Sequence, residues 1–163
     1  FVQYVVNDWP VRLIALDTNI PGNSKGSLSI QQLDWLEQRL HEAPEQPALI
    51  FMHHPPLTSG IDAMDRYGLL RGRAELARLV AGHGGVQFIA CGHVHRPIAG
   101  VLGGAPVLVA PSTSHQLELD LRPGAPLALR LEPPMMGLYR WTAQDGVSCH
   151  FGHVQAFEGP FPI

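Results

Sequence analysis

Leu49-Ile50-Phe51-Met52-His53-His54-Pro55-Pro56 is an unbroken apolar run that stops at two histidines and two prolines. The same shape returns at Val86-Gln87-Phe88-Ile89-Ala90-Cys91, which runs into Gly92-His93-Val94-His95. Runs this short and this uniformly apolar predict strands covered on both faces. Imidazole nitrogens are common ligands of zinc, iron and manganese. Strand ends hold such ligands rigidly, and open α/β sheets bind their ligands at the carboxyl ends of the strands. His53, His93 and His95 therefore form the candidate metal set. His93 and His95 are spaced i, i+2, which on an extended segment points both to one side, toward one ion or two adjacent ones.

Outward from these stretches, the first part of the chain alternates strand and helix. Phe1 to Val6 and Val11 to Leu16 predict a hairpin with Trp9 and Pro10 at its tip. Asp17, read as a turn residue, opens a Gly, Ser and Asn loop that lasts to Ser27. Ser29 and Gln32 have capping-box spacing, with Leu28 and Leu33 placed as a hydrophobic staple. Leu33, Leu36 and Leu40 continue as the apolar stripe of a helix that Pro44 and Pro47 stop. A second helix is predicted from Leu69 to Val80, with Gly82 as its C-terminal cap and His83 just beyond. Asp62 and Asp65 read as capping residues of the intervening loop.

The last third reads as strand throughout. Pro97–Leu102 and Pro106–Ala110 flank a Gly103-Gly104 turn. Leu127–Leu131 alternates, predicting one buried and one wet face. Met136–Thr142 and Val147–Phe157 flank Gln144-Asp145-Gly146. His150 and His153 are placed on the sheet surface, and Cys91 is expected to be inert packing. The expected fold is α/β, with helices on one sheet and a second, mostly antiparallel sheet behind it.

Composition narrows the function classes. Charged residues make up 15% of the chain and the net charge is −3, so no basic surface invites polymeric nucleic acid or an anionic membrane. No apolar run reaches membrane-spanning length. Two cysteines exclude a disulfide framework and agree with a reducing, cytoplasmic compartment.

Phe51–Pro56 and Cys91–Pro97 resemble the last two motifs of the calcineurin-like metallophosphoesterases. The likeness is closest to the bacterial branch of class III cyclic-nucleotide phosphodiesterases and glycerophosphodiesterases. Leu16-Asp17-Thr18 with Pro21-Gly22, Leu33–Leu36, Gly60–Asp65 and Ala110–Gln116 extend the resemblance over nearly the whole chain. It implies a four-layer α-β-β-α sandwich and a two-metal centre of Mn, Fe or Zn. In that chemistry a metal-bound hydroxide attacks phosphorus in line.

By motif, His53 corresponds to the ligand directly after its strand, and His93 and His95 to ligands of the two different metals. His54 corresponds to a substrate-facing or supporting position. Arg96 would meet a phosphate or neutralise a carboxylate. His115 matches a histidine that orients a phosphate oxygen or protonates the leaving alkoxide. The family's earlier motifs (Asp-X-His, Gly-Asp and Gly-Asn-His) do not occur here. Residues 1–163 are therefore expected to be one partial domain, the C-terminal part of a longer phosphodiesterase, closed by antiparallel strands over 126–163. The expected substrate is a small phosphodiester, and an unpaired sheet edge predicts a homo-oligomer. The alternatives are an inactive metal-binding fragment and an interaction domain.

Overall fold

The computed structural model describes residues 2–162; the predicted strand residue Phe1 lies outside them. The central sheet has six strands. In chain order these are β1 (Tyr4–Val6) and β2 (Arg12–Leu16), then, beyond a short hairpin β3 (Asn19–Ile20) and β4 (Asn23–Ser27), β5 (Ala48–Met52). After β6 (Leu69–Arg71) come β7 (Val86–Cys91), β8 (Ile98–Leu102) and β9 (Ala105–Val109). Their spatial order is β1-β2-β5-β7-β9-β8. The middle four run parallel, and β1 and β8 flank them antiparallel.

Two crossovers build this order. Helix α1 (Ile30–His41) joins β2 to β5, and α3 (Arg73–His83) joins β5 to β7 after a single turn, α2 (Asp62–Asp65). Period-two alternation splits the strands between two cores. Ile14, Ile50, Ile89 and Val107 are fully buried against Leu36, Leu76 and Val80 of the helices. Each of these side chains contributes about 1.5–3 kcal/mol by leaving water. Leu49, Phe88 and Ala90 face the other way, onto Tyr139, Trp141 and Val147. Those three belong to a hairpin of β12 (Met135–Thr142) and β13 (Gly146–His153), preceded by a two-stranded pair, β10 (Gln116–Leu117) and β11 (Leu129–Arg130).

The second face of the central sheet is thus only partly covered. Beside the hairpin, Tyr4, Val6, Leu13, Ala15 and Phe51 line an open apolar groove. Of the four expected layers, the described residues supply one of helices, one sheet and a two-stranded part of a second sheet.

The capping box at α1 is complete. The Ser29 amide donates to Gln32 Oε1 at 2.9 Å, and the Gln32 amide donates back to Ser29 Oγ. Three expectations need correction. Leu69 does not begin a helix; it lies in β6, parallel to β4, and α3 starts only after Gly72. Gly72 has φ 86, and a Cβ there would collide with Leu28, so the chain turns where a helix was expected to run. The helix cap is Gly84 at φ 66 rather than Gly82, which places His83 inside the last turn. Leu127, Leu129 and Leu131 alternate without burying a face: they are 50%, 58% and 90% exposed, and only Leu129–Arg130 is strand. No element packs over them among the described residues.

Candidate metal centre

The carboxyl ends of β5, β7 and β9 are joined beyond the last strand residue. Gly92 N–H donates to the His53 carbonyl at 3.0 Å, and Ala110 N–H donates to the Cys91 carbonyl at 2.8 Å. These bonds add a rung to the sheet at the point where the histidines begin.

His93 and His95 do not lie on an extended segment, as the sequence reading supposed. Both adopt left-handed backbone, with φ 72 and 53. Val94 N–H turns back to the Gly92 carbonyl at 2.8 Å, and the Val94 side chain is buried in the core. Burying that valine throws the two flanking histidines outward onto different neighbours. The His93 ring lies 5.0 Å from His53 and 4.5 Å from His54, whereas the His95 ring lies 4.9 Å from His115. A side chain held at positive φ costs about 1–3 kcal/mol and persists where surrounding structure imposes it.

His93 Nδ1 and His53 Nε2 are 3.2 Å apart. Two nitrogens bound at ~2.0–2.1 Å to one tetrahedral ion are separated by about 3.3 Å. The pair therefore fits a shared divalent cation. His53, His54 and His93 can bring one nitrogen each within 4.8 Å of the others, and no carboxylate joins them among the described residues. The Tyr67 and His115 backbones approach His93 and His95, yet His93 Nε2 and His95 Nδ1 are buried without a well-formed hydrogen bond. Buried polar atoms left unpaired mark places where a partner is to be supplied.

Burial favours the neutral imidazole throughout. It pushes His93 down to about 4, helped by the adjoining His54 and His53. Burial also lowers His53 and His54, and lowers His95 together with the nearby His115. Neutral imidazole is the form that ligates a metal.

His54 differs from its neighbours. It is 2% exposed, and both ring nitrogens are engaged: Nδ1 with Thr18 Oγ1 at 2.8 Å and Nε2 with the Ser24 carbonyl at 3.1 Å. The His54 amide also donates to Thr18 Oγ1, at 3.3 Å. Thr18 enters the sequence reading only within the Leu16-Asp17-Thr18 stretch and with no role of its own, and Ser24 and Gly26 only as loop residues. One signal points to Thr18: Leu16 is in register with Met52, so the residues after β2 adjoin the residues after β5.

The other candidates are placed as follows. His115 stands beside His95. Arg96 donates to Glu132 Oε2 at 2.6 Å, the carboxylate-neutralising arrangement. Asp17 accepts from the Val2 and Asn19 amides, which hold its carboxyl below the usual range; it is a turn residue. Asp65 accepts from the Ser59 and Gly60 amides, and Asp62 accepts from Gly124 N–H. Cys91 is buried, which pushes its thiol well up. His150 and His153 are exposed on the hairpin.

The chain is similar to known proteins along most of its length. The family model described as calcineurin-like phosphoesterase matches residues 7–97. A probable glycerophosphodiester phosphodiesterase of Arcobacter nitrofigilis is 43% identical over 162 residues, which are 99% of this chain and 59% of that protein. A probable cyclic nucleotide phosphodiesterase of Synechococcus is 37% identical over 152 residues, 91% of this chain and 56% of that protein. Among solved structures, purple acid phosphatase PPD1 from yellow lupin seeds superposes with a TM-score of 0.60 at 16% identity, over 93% of this chain and 30% of that one. That likeness concerns the fold. The chain spans a little over half the length of these two curated relatives.

Proposed function

The chain belongs to the calcineurin-like phosphoesterase family, and on that premise we propose that the complete protein is a metal-dependent hydrolase of small phosphodiesters. The substrate classes are those in the relatives' names, glycerophosphodiesters and cyclic nucleotides. The observation that carries the reading is the His53–His93 nitrogen pair, 3.2 Å apart on adjacent strand ends.

In this reading His53 and His93 hold a divalent ion, and His95 presents its imidazole to a second. Mn, Fe and Zn are the ions suited to such ligands once carboxylates from the rest of the protein join them. Ions bound there supply Lewis acidity toward the phosphoryl oxygens and an activated water. His115, beside His95, orients a phosphoryl oxygen or delivers a proton to the departing alkoxide. Arg96, occupied by Glu132, balances charge in the ligand loop from behind. His54 supports His53 and His93 from within the fold. The family's remaining ligands are absent from this chain, so residues 1–163 on their own are proposed to bind at most one ion and to turn over nothing.

No helix among the described residues is long and apolar enough to cross a membrane. We place the protein in the cytoplasm, as a homo-oligomer acting on small molecules and not on polymeric nucleic acid. Residues 1–163 form one partial domain in this reading, closed by the strands of 126–163.

The test is turnover by the full-length protein, loaded with manganese or zinc, of a glycerophosphodiester and of a cyclic nucleotide. His93→Ala is expected to lower the metal-dependent rate by about 100-fold or more, because it removes a first ligand. A rate that His93→Ala leaves unchanged overturns the site.

A further inference from the structure

We propose that Thr18 is a positioning residue of the metal centre: it holds His54 in one tautomer with both nitrogens occupied, and so keeps the third imidazole of the cluster off the metal. The inference rests on the metal-centre reading above and adds what keeps His54 from joining His53 and His93.

The argument is one of hydrogen-bond chemistry. A backbone carbonyl only accepts, so His54 Nε2, 3.1 Å from the Ser24 carbonyl, carries the proton. In the neutral ring Nδ1 is then an acceptor, and the Thr18 hydroxyl 2.8 Å away donates to it. No lone pair of the ring remains for a cation. By distance alone His54 belongs with His53 and His93; by proton placement it does not.

The restraint is built from three sides. Thr18 is fully buried and is fixed in turn by the His54 amide. Ser24 comes from β4, whose backbone runs directly behind the ring. A Cβ at Gly26, also in β4, would overlap the His54 ring, so glycine there allows the strand to press against it. The ring is left packed edge-on to His53, with centroids 4.8 Å apart, as a rigid wall for the ligands.

Consider the alternative in which nothing occupies Nδ1. A third imidazole within 4.8 Å of the other two would complete an all-histidine set with them. Such a set closes most of a tetrahedral zinc site and leaves fewer positions for carboxylate ligands and substrate. Thr18 prevents that closure without removing the imidazole that packs the site.

The test reads the imidazole nitrogens of the full-length protein by NMR, with and without zinc. In the wild type, His54 is expected as the Nε2–H tautomer. Zinc should shift His53 and His93 and leave His54 in place. In Thr18→Ala, which removes the hydroxyl and clears the space along the Nδ1 lone pair, zinc should shift His54 Nδ1 as well, raising the bound imidazoles of this cluster from two to three. Thr18→Ser should restore the wild-type response. If wild-type His54 carries its proton on Nδ1, or if Thr18→Ala responds as the wild type does, the proposal is overturned. If zinc shifts all three rings in the wild type, this proposal fails and the metal centre stands. If zinc shifts none, the metal centre fails and the proposal with it. Should Thr18→Ala not fold, the wild-type tautomer and zinc response decide alone.

Discussion

His53 and His54 are neighbours in sequence and opposites in the fold. His53 is exposed, and its Nε2 meets only another imidazole. His54 is buried and satisfied at both ring nitrogens. The Gly92–His95 turn pairs with His53 in character: its histidines sit at left-handed φ and keep buried nitrogens unpaired. One side of the cluster is thus finished by the protein, and the other is left open at some cost. Satisfied groups stabilise a fold, while strained and unpaired ones mark where it binds something else.

The largest way to break this contrast is to truncate each member of the pair. His54→Ala removes a buried ring and strands the Thr18 hydroxyl and the Ser24 carbonyl. It should lower unfolding stability by about 2–4 kcal/mol. His53→Ala should change it by no more than about 0.5 kcal/mol, as for an exposed residue. Urea denaturation of the two variants measures this; equal losses would erase the distinction.

A smaller effect of opposite sign sharpens it. His93→Gly relieves the left-handed backbone and should raise stability by about 1 kcal/mol while zinc binding is lost. A stability that falls with zinc affinity would show that the His93 ring packs the fold rather than serving a site.

A further effect is in pH. His93, His53 and His54 all have folded pKa values below the unfolded value near 6.5. Their neutral forms therefore contribute stability that is complete above about pH 6.5. It is lost as pH falls toward about 4, where His93 protonates in the folded state. Metal-free protein should show a urea midpoint that declines across this window, and His93→Gly should flatten the decline.

Much of this was legible in the residues. The strands β5 and β7 are apolar on both faces because helices pack on one side of them and the β12–β13 hairpin on the other. The capping box at Ser29 is local chemistry and needs no partner. What was not legible depends on contacts distant in sequence. The small sheet of β3, β4 and β6 is short, polar and glycine-rich, and exists through pairing across the chain, such as Gly26 with Leu69. That pairing also converted Leu69 from expected helix to strand. Nothing in a His-His dipeptide says which ring is buried; Thr18 and the Ser24 carbonyl decide it from 36 and 30 residues away. The turn at Gly92–His95 was misread because Val94 counts as one more apolar residue until the core claims it.

The bond from Gly92 N–H to the His53 carbonyl fixes the scale of the centre. Adjacent strands in any sheet lie about 4.8 Å apart, and this rung carries that spacing past the strands to the first histidines. The separation of the two imidazoles is thus set by the pitch of the backbone ladder together with the left-handed turn at His93. The sheet serves as a ruler, and its smallest division matches the span of the proposed divalent ion.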